Sequence, residues 1–287
     1  MVMPKGIGIV DTMIGFPAND FSQYDFIRKQ LKEGSTDLDF PVEYMFKNVP
    51  KKLYGNKDPI SVTLHEMDRF GVEIGLIGAG GDVSRKALQT YPDRFVAQGG
   101  VDPNRGKEGI QDMVRQYEEF GVRSFGAFNA GFNPQVGIDD ELMYPIYEKC
   151  VELDVPIFSC AGVPGPRLPM WPQHVERIDK VMYDFPNLVF VTRHGCEPWV
   201  DLAVKLMLKW PNLYYSTSAF APKYYPKEII DYANTRGADK VIYAGYFPIG
   251  LSLERIMTDM QDVAFKEEVW PKFLRENACK VLKIEGH

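Results

Sequence analysis

Four side chains in this 287-residue sequence end or follow short apolar runs and carry groups that can do chemistry together: Asp11, Cys160, His194 and Tyr246. The imidazole of His194 takes or gives a proton near neutral pH. Its structural alternative is a histidine hydrogen-bonded into a wall. Asp11 can orient that imidazole, bind a cationic group or act as the base. A carboxylate is costly to bury alone, so its structural alternative is a pairing with Arg193 or a backbone N–H. A thiol at Cys160 becomes a nucleophile only if a neighbour makes it a thiolate, and otherwise it is an inert apolar filler. The phenol of Tyr246 can hydrogen-bond to Asp11, polarise a carbonyl or simply fill space. Arg193 can grip a carboxylate through two parallel bonds. Alternation along a strand sends it away from His194, which favours an ion pair with an outer helix.

These residues need elements to hold them. Eight apolar runs read as strands, at 6–14, 72–79, 94–102, 122–130, 155–162, 188–195, 213–220 and 240–247. Most lack alternation, as expected of strands buried on both faces. Helical patterns stand between them, at 61–71, 109–121, 139–154, 174–185, 198–210, 226–237 and 253–260. The first two end on glycine stops, Gly71 and Gly121. This alternation selects an α/β fold, a single (β/α)8 TIM barrel over residues 1–287. The first strand runs into Asp11-Thr12-Met13 and not into a glycine-rich phosphate loop, which counts against an open dinucleotide-binding sheet. A last helix, 269–284, is expected to pack outside the barrel or on a partner.

Residues 15–59 break the alternation. They are rich in aromatics and prolines, follow the first strand, and read as an insertion or lid over the barrel mouth, or as support for a dimer interface. The segment 162–176 holds four prolines and projects Arg167, Met170, Trp171 and His174 as a second wall. With Phe16, Phe128, Phe132, Phe220 and Phe247 near strand ends, the mouth reads as apolar and aromatic. Such a mouth suits a flat organic acid.

Composition narrows the partners. A net charge of −6 and the lack of any basic run longer than two residues argue against nucleic acid or an anionic membrane. No stretch approaches the length of a membrane span and no signal peptide is evident. The four cysteines are far apart, without a C-x-x-C pair, which fits reduced thiols and a cytoplasmic protein. Helix 198–210 and the last helix suggest contacts in a homo-dimer.

The motifs RFVAQGGVDP (from Arg94), GVRSFGAF (from Gly121), FPNLVFVTRHGCEPW (from Phe185), WPNLYYSTSAF (from Trp210) and KVIYAGYFPIG (from Lys240) resemble the amidohydrolase superfamily. The resemblance is to the branch with aminocarboxymuconate-semialdehyde decarboxylase and the resorcylate decarboxylases, and it covers nearly the whole chain. It implies a divalent metal at the mouth. The ligands would be two histidines one residue apart on strand one, a histidine on strand five and an aspartate on strand eight, with a strand-six histidine as acid or base. Here those positions fall on Asp11 and Met13, on Cys160, and on Tyr246. Only the strand-six histidine, His194, is kept.

The resemblance therefore implies an enzyme without its usual metal and with no other cofactor. It would be a hydrolase or a decarboxylase-like lyase acting on an aromatic or cyclic organic acid. His194 would be acid or base, Asp11 its partner and Tyr246 a donor to the oxyanion. Arg193, Arg167, Trp171, Phe16, Phe128 and Phe220 would bind substrate. Two alternatives stand beside it: a catalytically silent barrel that binds an organic ligand or scaffolds a complex, and an atypical metal hydrolase with Asp11, Cys160 and His194 as ligands.

Overall fold

The computed structural model describes residues 3–18, 21–32 and 38–284. His287 and residues 19–20 and 33–37 of the insertion lie outside them. The apolar runs form β1 (Ile9–Asp11), β2 (Val72–Gly78), β3 (Phe95–Gly100) and β4 (Ser124–Ala127), then β5 (Ile157–Cys160), β6 (Phe190–Arg193), β7 (Leu213–Ser216) and β8 (Val241–Ile242). All pair in parallel, in chain order. The ring closes where Thr12 N–H and Thr12 Oγ1 both donate to Tyr243 O, at 3.3 and 2.8 Å. Farther up, Ile14 bridges Phe247. This is the expected (β/α)8 TIM barrel.

A one-turn helix, α1 (Asp25–Arg28), lies in the insertion. The barrel helices are α2 (Pro59–Phe70), α3 (Asp82–Thr90), α4 (Gly106–Phe120), α5 (Tyr144–Glu152), α6 (Arg177–Asp184), α7 (Val200–Lys209), α8 (Lys227–Ala233) and α9 (Leu253–Met260). Their ends follow local chemistry. Asp58 accepts from Ser61 N–H to start α2, and Ser252 accepts from Arg255 N–H to start α9. Gly71 and Gly121 end α2 and α4 in the left-handed region, at φ 72° and 58°, where a side chain is strained. Helix α7 turns Val200, Ala203, Leu206 and Met207 toward the barrel, so its apolar face belongs to the helix layer.

The last helix departs from expectation. It comprises α10 (Val269–Pro271), a π-helical turn (Lys272–Glu276) and α11 (Asn277–Leu282). Ala278, Val281 and Leu282 of α11 pack with Val10, Ile74, Leu76, Phe158, Val191, Tyr214 and Ile242 inside the barrel. Just past α11, Lys283 Nζ donates to Asp154 O at 3.0 Å in the turn that enters β5, so α11 plugs the bottom of the barrel. Burial of that apolar face, and not a surface contact, explains its sequence pattern.

The insertion crosses the opposite end. Gln30 Nε2 donates to Gly131 O after β4 at 2.8 Å, Tyr44 O–H to Gly165 O after β5 at 2.5 Å, and Tyr54 O–H to Pro248 O after β8 at 3.3 Å. Three strand-end loops are thereby tied to one irregular segment. Among the described residues no helix is long and apolar enough to cross a membrane.

Candidate functional site

A cavity of about 1900 Å³ opens at the C-terminal ends of the strands, where enzymes of this architecture bind substrate. Met13, Cys160, Arg193, His194 and Tyr246 line it, with Phe128 and Phe220 on its walls and Tyr24, Phe46 and Tyr44 contributed by the insertion. Backbone strain gathers there. Of six non-glycine residues with positive φ among the described residues, His194 (65°), Cys196 (59°), Ala219 (70°) and Tyr246 (76°) all follow barrel strands at this end. Such conformations persist only where packing enforces them.

Arg193 was expected outward, opposite His194, but it keeps the alternation of β6 with the inward Val191, and it is His194 that the turn re-aims. Arg193 points into the barrel: it is 9% exposed, its guanidinium lies 5.0 Å from the Phe158 ring centre, and Nη2 donates to Thr12 O at 3.2 Å. The expected ion pair with an outer helix does not form. No carboxylate pairs with Arg193 among the described residues, and its Nε has no partner. Burial lowers its pKa to about 10. Gly126 makes room for it, since a Cβ there would lie 2.8 Å from Gln98 Oε1 and 3.5 Å from Arg193 Nη1.

His194 is half-buried beside it. Its backbone N–H donates to Ser218 Oγ at 3.1 Å, and its Nδ1 lies 3.2 Å from the same oxygen. We assign the Ser218 hydroxyl proton to Nδ1, which leaves the hydrogen on Nε2. Desolvation, then the neighbouring Arg193 charge, lowers the imidazole pKa to about 3. The imidazole is neutral throughout the physiological range, although its type alone suggested a titration near neutral pH. The Tyr246 ring meets it edge-on at 5.5 Å and is covered on its other side by Phe46 at 5.7 Å. Burial raises the phenol pKa, so Tyr246 keeps its proton. The Cys160 thiol is pushed up to about 12 by burial, so it stays a thiol.

Asp11 does not join them. It is fully buried, but it is absent from the cavity wall. The chain bends at Thr12 and Met13, and Asp11 is left behind the junction of β1 and β8. There its Oδ1 accepts from Met13 N–H at 2.9 Å and from Gly245 N–H at 2.8 Å. A Cβ on Gly245 would lie 2.4 Å from Asp11 Oδ2 and 2.7 Å from the Tyr243 hydroxyl, so only glycine fits against this pair. Burial raises the Asp11 pKa to about 7. Its backbone partners match the structural alternative read from the sequence.

Other expected residues also fall outside. Arg167 is exposed and stacks on Tyr44, its guanidinium 4.7 Å from the ring centre. Trp171 is 44% exposed and donates to Gln135 Oε1 at 3.0 Å. Phe16 packs edge-on against Phe95 at 5.3 Å, in the layer between barrel and helices. The residues that sequence reasoning missed are Gln98, Ser218 and the insertion's Tyr24 and Phe46. Only the aromatic richness of the insertion hinted at the last two.

A metal of the family's kind does not fit this donor set. Of the two positions that correspond to the family's paired ligands, Asp11 lies behind the cavity wall and Met13, on the wall beyond β1, offers no nitrogen or oxygen side-chain donor. A cation, Arg193, already stands beside Cys160 and Tyr246 on the cavity wall. No group of three or more His, Cys, Asp or Glu is arranged for a metal among the described residues. The Asp11/Cys160/His194 ligand set is therefore not assembled, because Asp11 lies behind the wall.

Comparison with known proteins agrees with the architecture. No curated protein matches the sequence. Among solved structures, an uncharacterised TIM-barrel protein from Bordetella bronchiseptica superposes with a TM-score of 0.77 at 22% identity, over 96% of this chain and 98% of the other. The 2,6-dihydroxybenzoate decarboxylase from Rhizobium does so with a TM-score of 0.67 at 17% identity, over 98% and 100%. A dihydroxybenzoic acid decarboxylase from Polaromonas sp. JS666, solved with bound manganese and the inhibitor 2-nitroresorcinol, gives 0.68 at 15%, over 98% of each chain. At these identities the likeness is one of fold. The amidohydrolase family model, however, matches residues 78–284, most of the sequence, and with that match the chain belongs to the amidohydrolase family and is an enzyme of that superfamily.

Proposed function

We propose that the protein is a metal-independent hydrolase or carboxy-lyase acting on an aromatic or cyclic organic acid, whose carboxylate pairs with Arg193. One observation carries this reading: a buried guanidinium without a carboxylate partner, at an aromatic-walled cavity. A charge so placed is costly until an anion meets it, and a carboxylate matches its fork. The known structures that bind small aromatic acids or their analogues on the same fold favour the same ligand class.

Pairing with a guanidinium stabilises a carboxylate and so opposes its loss as CO₂. The group held on Arg193 is thus a handle, a carboxy-lyase would remove a second carboxyl group of the substrate, and in either reaction the bond that breaks lies toward His194 and Tyr246. Neutral His194 presents Nε2–H to that region, and Tyr246 presents a protonated phenol. Both can donate to an oxygen that gains charge. The bound anion also offsets the Arg193 charge, which is one of the two causes of the low imidazole pKa. Substrate binding makes His194 more basic and readies it for proton transfer. The insertion acts as the lid that separates this space from bulk water, a hydrolase retaining the one water that it consumes.

The test is calorimetric titration of the purified protein with benzoate and with neutral benzamide, before and after loading with Mn²⁺ or Zn²⁺. Benzoate binding that needs no metal, is not shared by benzamide, and falls by about 100-fold in Arg193→Met is expected. About one tightly held metal per chain after loading, or benzoate binding unchanged in Arg193→Met, would sink the reading.

A further inference from the structure

Charge is spread unevenly around the cavity. On one side Arg105 and Arg115 both pair with Asp112, and Arg85 of α3 pairs with Asp82. Across the barrel, two lysines that line the same cavity, Lys47 and Lys223, are exposed and have no carboxylate partner among the described residues. The chain has 39 acidic residues, yet none of those described pairs with either lysine.

Three segments bring these cations together. Lys47 follows Phe46 in the insertion, and Phe46 lies against Gly250, where a Cβ would come within 2.6 Å of its ring. Gly250 leads into α9. Lys223 lies in the turn Pro222–Tyr224, which packs on α9. Arg255, in the first turn of α9, lines the cavity as well. Its Nε pairs with Asp259 at 2.6 Å, so the two lysines carry the uncompensated charge. Tyr224 stands among them, with Lys223 Nζ 4.7 Å from its ring centre. A hydrogen bond with Lys223, then the charges of Lys223, Lys47 and Arg255, lower the pKa of its phenol. The field at this phenol is positive. Like charges gathered without a counter-charge repel one another, so the cluster costs free energy in the empty protein.

Size points the same way. The cavity, about 1900 Å³, exceeds the roughly 300–1,000 Å³ of an ordinary ligand pocket. A single ring whose carboxylate sits on Arg193 leaves most of it empty.

We propose that Lys47 and Lys223, with Tyr224 and Arg255 beside them, form a second anion subsite at the rim, which takes a tetrahedral dianion of the phosphoryl class. The ligand then carries a carboxylate at one end and a phosphate ester or phosphonate at the other. The side chains divide accordingly. A guanidinium fork matches a planar carboxylate, whereas ammonium groups are point charges that suit a tetrahedral anion. Two uncompensated cations match its two charges. The carboxylate end rests on the Arg193 reading above, and the phosphoryl end stands on the rim alone.

The experiment is calorimetric titration of the full chain with inorganic phosphate at low ionic strength and about pH 8, where the dianion prevails, with and without saturating benzoate. Wild type is expected to bind one phosphate with a dissociation constant of about 1 mM or below. Benzoate should leave that value unchanged, because the two anions occupy separate places. Lys47→Gln combined with Lys223→Gln should weaken phosphate by about 10-fold or more, the sum of two exposed ion pairs. Both side chains are exposed, so the variant folds, and it should bind benzoate nearly as wild type does. Arg193→Met should bind phosphate as wild type does. No phosphate binding by wild type, equal binding by the lysine variant, loss in Arg193→Met, or displacement of phosphate by benzoate would each overturn the proposal. Two benzoates per chain, one of them lost in the lysine variant, would give the rim to carboxylates and overturn the phosphoryl assignment. Phosphate binding that depends on the lysines, in a chain that fails to bind benzoate, would remove the Arg193 reading and leave the rim subsite standing.

Discussion

The two ends of the barrel are built on opposite rules. At the bottom, Val10, Ile74, Leu76, Phe158, Val191 and Ile242 meet Ala278, Val281 and Leu282 of α11 in a closed apolar plug. At the mouth, a few residues farther along the same strands, stand a buried unpaired arginine, a neutral histidine and a protonated phenol and thiol. The bottom stabilises, because it removes apolar surface from water. The mouth costs stability, through strained backbone at His194, Cys196, Ala219 and Tyr246 and through desolvated polar groups. Groups that are unfavourable in the empty protein and converge on one cavity are what a ligand-binding site requires.

The contrast breaks most visibly at Leu282, which is 1% exposed. Leu282→Ala leaves a cavity in the plug and is expected to cost about 2–5 kcal/mol of unfolding free energy, read by urea denaturation. Benzoate affinity should stay at the wild-type value. A large loss of affinity with little loss of stability would mean that the two ends are not separable.

Asp11 tests the wall between the mouth and the outer layer. Its folded-state pKa is raised from 3.8 to about 7. A raised pKa means that the group's contribution is fully present below pH 3.8 and is lost as pH rises through about 7, as the buried carboxyl is forced to ionise. Asp11→Asn keeps an oxygen for the Met13 and Gly245 N–H groups and removes that loss. The variant should gain on wild type by up to about 4 kcal/mol between pH 4 and pH 8. His194 slopes the other way. Its pKa is depressed from 6.5 to about 3, so its contribution is present above pH 6.5 and lost as pH falls toward 3. Parallel stability curves for Asp11→Asn and wild type across this range would mean that Asp11 is not the buried acid described.

Much of this was legible in sequence, and the exceptions have local causes. The strands and the stops at Gly71 and Gly121 were readable because burial on both faces and left-handed caps leave strong residue signals. Helix α3 was not among the expected helices: only Ala87 of its nine residues is fully buried, so it carries little apolar pattern. The side on which Asp11 lies was hidden by the bend at Thr12 and Met13. Arg193 is inward by alternation with Val191, two residues earlier in β6, and what the pattern hid is the positive φ at His194 that brings the imidazole to the mouth as well. Tyr24 and Phe46 gave only the collective signal of an aromatic insertion, because one aromatic among many in an irregular segment is not set apart by its type.

Arg193→Met sharpens the comparison from the other side. The substitution removes a desolvated cation that has no carboxylate partner, so the empty protein should be as stable as wild type or more so, while benzoate binding weakens by about 100-fold. Stability and affinity would then move independently at the mouth, the reverse of Leu282→Ala. A marked fall in melting temperature would assign Arg193 a structural role.

The smallest effect is expected at Cys160, although it lines the same cavity as His194. A nucleophile there would need a thiolate, and burial instead holds the thiol pKa at about 12. Arg193 is the one neighbour that favours ionisation, and it does not offset desolvation. At pH 7.5 the thiolate fraction is then minute, so iodoacetamide should leave Cys160 unmodified in the folded protein and modify it after denaturation. Cys160→Ser should change benzoate affinity by less than about threefold, since it exchanges one small neutral group for another. Rapid, stoichiometric alkylation of Cys160 at neutral pH would reverse this assignment: the thiol would then be the activated group of the mouth, with His194 beside it as the base.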